Sequence, residues 1–240
     1  MSKILISLSA ISKQYGQTHA LHDVSFDLHE GELVSLLGVN GAGKTTLSTI
    51  VGTLHPPTSG DIIHNGTSIY DHIPTFRRMI GYCPQQPNLN PLLTVRRNLE
   101  FAGAYFGMTE EETRAKIEHL HAQLGINKYL DTFPDTLSGG WKQRYMLART
   151  LIHSPKLIIL DEPTVALDPE IRNQLWDYIQ HIKSEGISVL LTTHYLEEAE
   201  RLSDRVVLLH EGKVQLIDTP SHLLESFKMG RLEDVFIELT

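Results

Sequence analysis

The run Gly38-Val39-Asn40-Gly41-Ala42-Gly43-Lys44-Thr45-Thr46 constrains this chain more than any other feature. The apolar segment Leu33-Val34-Ser35-Leu36-Leu37 precedes it, and Leu47, Ile50, Val51 and Leu54 follow at helical spacing. The pattern therefore reads as a strand, a glycine turn and the start of a helix. Such a turn suits phosphate. Glycines at 38, 41 and 43 let successive backbone N–H groups point inward, and the helix N-terminus adds a partial positive charge. In that setting Lys44 reaches the β- and γ-phosphates of a nucleotide and the Thr45 hydroxyl takes one place on magnesium.

The rest of the chain sets limits on partners and compartment. With 240 residues, 41% hydrophobic and 21% charged, it can bury one sizeable core as a large domain or two lobes. No apolar stretch approaches the roughly 18 residues of a membrane span, and Met1-Ser2-Lys3-Ile4-Leu5 lacks the apolar region of a signal peptide, so the expected compartment is the cytoplasm. A net charge of −8 with scattered Lys and Arg argues against a general nucleic-acid binder, and no nucleic-acid partner is expected. The single cysteine, Cys83, cannot form an internal disulfide and has no neighbour that suggests a reactive role. Thirteen histidines show no metal-ligand spacing and are expected mostly at the surface.

Taken in order, apolar and polar residues alternate over positions 4–8 and 24–28, which predicts an antiparallel β-layer leading into the strand of the phosphate loop. Between them lies Tyr15-Gly16, an aromatic that reads either as a core or turn residue or as a platform for a base. The segment His55-Pro56-Pro57-Thr58-Ser59-Gly60 stops the first helix, and short strands are predicted at 61–63 and 80–83. From about Leu92 to Ile152 the pattern is mostly helical. Thr109-Glu110-Glu111-Glu112 forms a capping box there, Ile117, Leu120 and Leu124 share a face, and Gly125 is the stop. This reads as a helical lobe inserted into an α/β domain.

Three stretches carry further chemistry. Leu137-Ser138-Gly139-Gly140 opens a helix and reads either as an ordinary N-cap or as a second anion site. The apolar strand Leu157-Ile158-Ile159-Leu160 ends in Asp161-Glu162. Asp161 suits magnesium and Glu162 suits the orientation of an attacking water. A further buried strand, residues 187–191, leads to Thr192-Thr193-His194, where the histidine makes either a structural hydrogen bond or a phosphate contact. Helices are predicted at 170–183 and 196–202, strands at 206–209 and 214–217, and a partly helical tail beyond Pro220.

Together these motifs resemble the nucleotide-binding subunit of an ATP-binding cassette (ABC) transporter over essentially the whole length. The glycine loop with Lys44 looks like Walker A, and Leu160-Asp161-Glu162 like Walker B followed by the catalytic glutamate. Leu137-Ser138-Gly139-Gly140 matches the family signature, Gln85 the Q-loop glutamine, Ala166-Leu167-Asp168 the D-loop, His194 the switch histidine and Tyr15 the adenine-stacking aromatic. The resemblance implies an α/β P-loop NTPase with a RecA-like core, an antiparallel β-layer and an inserted helical subdomain. The implied division is residues 1–85 for the β-layer and the first part of the core, 86–154 for the helical subdomain, 155–219 for the second part of the core, and 220–240 for the tail.

The same resemblance implies a site and its partners. ATP is bound by Tyr15, Gly38, Asn40, Gly41, Ala42, Gly43, Lys44, Thr45 and Thr46; magnesium by Thr45, Gln85 and Asp161; catalysis falls to Glu162, His194, Lys44 and Gln85. Leu137, Ser138, Gly139 and Gly140 serve the ATP of a second copy in a head-to-tail homodimer, Asp168 belongs to the D-loop, and a separately encoded integral membrane permease converts dimer closure into transport. The chain departs from the family pattern at Trp141, where the signature often continues with Gln, and at Arg97, where many relatives have Glu. The ending Leu232-Glu233-Asp234-Val235-Phe236-Ile237-Glu238-Leu239-Thr240 resembles that of ABC-2 type export subunits. The alternatives are a mechanical ABC ATPase acting on an envelope complex and a module that holds ATP without hydrolysing it.

Overall fold

The computed structural model describes residues 3–239, with side chains through residue 236. Thr240, and the side chains of Ile237, Glu238 and Leu239 in the export-like ending, lie outside the described residues. The elements run β1 (Ile4–Tyr15), β2 (Thr18–His29), β3 (Leu33–Leu37), α1 (Lys44–Val51), β4 (Ser59–His64), β5 (Thr67–Ser68), α2 (Ile73–Met79) and β6 (Ile80–Cys83). There follow α3 (Val95–Tyr105), α4 (Glu110–Leu124), α5 (Gly139–Leu151), β7 (Leu157–Asp161), α6 (Pro169–Ser184), β8 (Ser188–Thr193) and α7 (Leu196–Leu202). The last are β9 (Arg205–His210), β10 (Lys213–Asp218), α8 (Pro220–Phe227) and α9 (Leu232–Leu239).

Every residue of β3, β7 and β8 is buried, including the polar Ser35, Asp161, Ser188, Thr192 and Thr193 among their apolar neighbours. These strands cannot face water on either side, so both faces of their sheet are covered. The sheet has the order β10-β9-β3-β8-β7-β6, parallel except for β10 at one edge. Side chains alternate between two cores along each strand. Val34, Leu36, Leu157, Ile159 and Leu190 join α1 and the antiparallel layer in one cluster. Leu33, Ile158, Leu160, Val189 and Leu191 join the helical insertion and α6 in the other. The lobe between β6 and β7 thus completes the core on one face of the sheet.

The second sheet, β2-β1-β4-β5, is antiparallel. Its first two strands run 12 residues each, well beyond the alternating segments 4–8 and 24–28. The reason is register: β-bulges interrupt the pairing between Leu8 and Ile11, where Ala10 adopts φ +50°, and Asp23 on the facing strand adopts φ +47°. A bulge breaks period-two patterning without ending the strand. Ser12 and Asp23 bridge the irregularity with a 2.9 Å hydrogen bond, and Gly60 of β4 approaches so closely that a Cβ there would lie 2.2 Å from the Ala10 carbonyl oxygen.

Local signals set the helix ends. Thr109 and Glu112 form the expected reciprocal capping box of α4, and Gly125 closes that helix at φ 64°. Asp168 caps α6 by accepting from the Ile171 N–H, with Pro169 in the first turn. Several histidines expected merely at the surface carry structural bonds instead. His64 Nδ1 lies 2.7 Å from the Leu5 carbonyl, and His153 Nε2 lies 2.9 Å from that of Ile80 while its ring stacks on Phe106. Among the described residues no helix is long and apolar enough to cross a membrane.

Tyr145 ties the lobe together from a fully buried position. Its hydroxyl donates to the Ile126 carbonyl at 2.7 Å and accepts from the Tyr129 N–H at 3.2 Å. Tyr145→Phe strips partners from two backbone groups at once, and a buried group so orphaned costs about 1–3 kcal/mol. We expect a loss of that size in denaturant unfolding, with ATP affinity at the phosphate loop retained; an unchanged midpoint would refute the lobe-tying role.

Candidate functional site

The parallel register determines which residues meet. Leu37 pairs with Thr193, Asp161 with Thr192, and Cys83 with Leu160. The carboxyl ends of β3, β6, β7 and β8 therefore lie along one edge, and the phosphate loop, Gln85, Glu162 and His194 all emerge there. They surround a pocket of about 440 Å³ lined by Asn40, Lys44, Thr45, Gln85, Glu162 and His194 among others.

In the phosphate loop, Gly43 sits at the cap of α1 with φ 103° and Gly41 has φ 87°, conformations that favour residues without a Cβ. Gly38 is required by crowding instead, because a Cβ there would stand 2.4 Å from the Leu209 carbonyl. No acidic residue occupies the first turn of α1, so its N-terminal dipole is unopposed there. Lys44 is buried and donates to the carbonyls of Gly38 at 2.8 Å and Val39 at 3.2 Å. Burial pushes its ammonium below the ordinary lysine range, against the opposing pull of Glu162 at 3.6 Å and of Asp161.

Asp161 accepts from three hydroxyls: Thr192 at 2.6 Å, Thr45 at 3.3 Å and Tyr82 at 3.3 Å. Burial nonetheless raises its carboxyl above the usual aspartate range; the hydroxyl donors pull the other way. Glu162 is held in a different manner. Its backbone adopts φ +46°, with its N–H on the Thr192 carbonyl at 3.1 Å and hydroxyl at 2.9 Å. Its carboxylate accepts from Gln85 Nε2 at 2.9 Å, and His194 Nδ1 approaches to 3.3 Å without the alignment of a hydrogen bond. A buried lysine, two carboxylates, an amide and an imidazole thus converge on one edge of the sheet.

The other sequence-derived candidates lie elsewhere. Tyr15 ends β1 at the hairpin with Gly16, half exposed, with the Lys13 ammonium 5.1 Å from its ring centre. Leu137, Ser138, Gly139 and Gly140 do not line the pocket. Ser138 begins α5, but its hydroxyl makes no capping bond, and Gly140 packs against α6 so tightly that a Cβ would meet Ile171 at 2.6 Å. Asp168 is engaged in capping α6. Trp141 packs edge-on against Tyr129 at 4.9 Å with the Arg144 guanidinium 4.8 Å from its ring centre, which makes it a fixed part of the lobe. Arg97 is exposed and pairs with Glu100 at 2.9 Å. Cys83 is buried and its thiol is pushed up to about 12, as expected of an unreactive cysteine.

Thr192 and Tyr82 were missed in the sequence. Thr192 was visible as the end of an apolar strand, yet its bonds to both residues of the Asp161-Glu162 pair depend on which strand lies beside β7. Tyr82 shows nothing in the sequence beyond its place in the strand at 80–83.

A family model described as ABC transporter matches residues 21–165. Nod factor export ATP-binding protein I of Rhizobium sp. (strain N33) is 37% identical over 236 residues, spanning 98% of this chain and 78% of that protein. The protein of the same name from Burkholderia orbicola (strain AU 1054) is 38% identical over 227 residues, 94% of this chain and 74% of its own. Among solved structures, an ATP-binding subunit of an ABC transporter matches with a TM-score of 0.88 at 33% identity, covering 98% of this chain and 99% of that one. A dimeric ATP-binding cassette in a post-hydrolysis state, bound to ADP and Pi, matches with a TM-score of 0.81 at 30% identity over 90% of this chain and 98% of that one. The family model takes in both the phosphate loop and Asp161-Glu162, and the matches to relatives extend over nearly all of the chain: it belongs to the ABC transporter family, as one of its ATP-hydrolysing ATP-binding subunits.

Proposed function

We propose that this chain acts as a homodimer that binds and hydrolyses ATP on the cytoplasmic face of a membrane and drives an export permease encoded by another chain. One observation carries the reading. Lys44, Thr45, Glu162, Gln85 and His194 share one pocket, with Asp161 behind it on Thr45, while Leu137, Ser138, Gly139 and Gly140 of the same chain stand outside it. A second copy supplies that missing wall. The dimeric cassette among the structural relatives and the export names of the sequence relatives support the same reading.

In this mechanism the N–H groups of residues 41–46 and the α1 dipole bind the phosphates of ATP, and Lys44 exchanges its carbonyl partners for them. Glu162, fixed by Gln85 and by its own backbone bonds, accepts the proton of the attacking water, and His194 contacts the γ-phosphate. Tyr15 stacks on adenine, Asp168 stands at the dimer junction, and Ser138, Gly139 and Gly140 cover the partner's nucleotide. ATP favours the closed pair because it touches both copies, and hydrolysis removes that preference.

The donor set fits magnesium. Thr45, Asp161 and Gln85 offer hydroxyl, carboxylate and amide oxygens, the hard ligands the ion prefers alongside phosphate and water. When bound, the ion would neutralise charge building on the phosphates. The permease contact falls on a different surface, a cavity of about 490 Å³ between the sheet edge and the lobe, with Leu54, Phe101 and Tyr105 exposed around Arg77, Tyr82 and Arg149. The helical subdomain of residues 86–154 supplies one wall of it.

Two measurements test this reading. ATP turnover per chain should rise with protein concentration, and Glu162→Gln should retain ATP binding while losing about a hundredfold or more in turnover. A rate independent of concentration would remove the dimeric site. Because the raised Asp161 carboxyl takes up a proton more readily as pH falls, magnesium must then compete with that proton. The magnesium concentration for half-maximal turnover should therefore increase as pH falls. Thr192→Val removes the closest donor to the carboxylate, raises its proton affinity further and should exaggerate the increase.

A further inference from the structure

Beside the pocket, a set of buried and partly buried side chains joins the loop of Leu167 and Asp168 to the loop of His194. Arg172, one turn into α6, extends Nη2 to the Leu167 carbonyl at 3.5 Å, and its guanidinium carbon lies 4.4 Å from the centre of the Tyr195 ring. That ring lies 4.3 Å from the imidazole of His194. The Nε of Arg172 is buried without an acceptor, so the Tyr195 face is a principal contact for this charge. Glu198, fully buried on α7, accepts from the Trp176 indole of α6 at 2.7 Å. Its carboxyl is raised by burial, with the hydroxyls of Thr193 and Thr164 and the charge of Arg172 acting in the opposite direction. Thr164 follows Glu162 closely and Thr193 precedes His194.

The same helix touches the second face. Gly139 lies 3.9 Å from Leu167, measured from where its Cβ would be, and Gly140 crowds Ile171. The start of α6 is therefore in contact with the signature end of α5, and Arg172 in the next position reaches the switch loop.

We propose that Arg172 is a positioning residue for His194: its guanidinium bridges the Tyr195 ring and the Leu167 carbonyl, and so fixes the histidine relative to the loop that meets the start of α5. The guanidinium suits this task because it is planar, charged and able to stack and donate at once. Glu198 anchors the other side of the same junction through Trp176. The inference rests on the reading that His194 and Glu162 act at the γ-phosphate.

The test is turnover of the full-length chain in matched variants. Arg172→Met keeps a flexible unbranched stem and removes the guanidinium and its charge; kcat should fall about tenfold while KM for ATP stays within about twofold. Tyr195→Phe preserves the ring and should behave as the parent, whereas Tyr195→Leu should reproduce the loss. Combining Arg172→Met with Tyr195→Leu should cost no more than either change, because they break one contact. Multiplicative losses in the double variant, a parental kcat in Arg172→Met, or a loss matched by a fall in the melting temperature of both single variants would overturn the proposal. His194→Ala and Glu162→Gln serve as controls: if they leave turnover intact, the underlying site reading fails, while their inactivity beside an active Arg172→Met defeats the clamp alone.

Discussion

Parallel pairing of β7 with β8, one residue against its neighbour, sets the geometry on which the site depends. It puts Thr192 beside Asp161, where one hydroxyl donates to the aspartate at 2.6 Å and accepts from the Glu162 N–H at 2.9 Å. Glu162 can then turn into a left-handed conformation at φ +46° and aim its carboxylate at the phosphate loop. A slip of one residue would move every apolar side chain of the strand to the opposite core and carry the carboxylates away from Lys44. The two hydrophobic clusters, each fed by alternate residues of the same strands, oppose such a slip. Packing on both faces of the sheet therefore fixes the position of the acidic pair.

Electrostatics explain why the site is poised for a polyanion. Lys44 is buried among carbonyls and carboxylates, its charge disfavoured by desolvation and supported by Glu162 and Asp161. Asp161 is itself disfavoured as an anion, held by hydroxyl groups that balance little of its charge. Lys44 is thus partly compensated by the two carboxylates, whereas Glu162 adds to the burial that disfavours the Asp161 anion. A nucleotide triphosphate with a divalent cation would meet both demands together, offering anionic oxygens to the lysine and a positive centre to the aspartate.

Much of this was legible because the motifs are local. A glycine turn between an apolar strand and a helix, a capping box, an Asp-Glu pair closing an apolar run and a histidine ending another can all be read from spacing, and the structure places Lys44, Gln85, Glu162 and His194 around one pocket. What escaped depends on neighbours distant in sequence. The full extent of β1 and β2 was hidden because the bulges at Ala10 and Asp23 interrupt alternation. Thr192 gained its importance from register, Trp176 from a partner on α7, and Arg172 from a ring on a loop that follows another strand. None of these pairings leaves a periodic trace. Arg172 on its helix is indistinguishable from a solvated charge until the approach of Tyr195 is known.

The separation of the two glycine-rich segments follows from the same architecture. The phosphate loop is fixed to the carboxyl end of a central strand, whereas Ser138, Gly139 and Gly140 begin a helix that packs on α6 and covers the other hydrophobic cluster. Bringing these segments together within one chain would require the lobe to leave the core that Tyr145, Leu147 and Leu151 help to form. Such a rearrangement exposes far more apolar surface than a phosphate contact could offset. Docking a second copy leaves both cores intact. In the proposed function, completion of the site by association keeps both cores, and the contact between α5 and α6 would take part in it, since the loop bearing Asp168 lies between the start of α5 and the loop of His194.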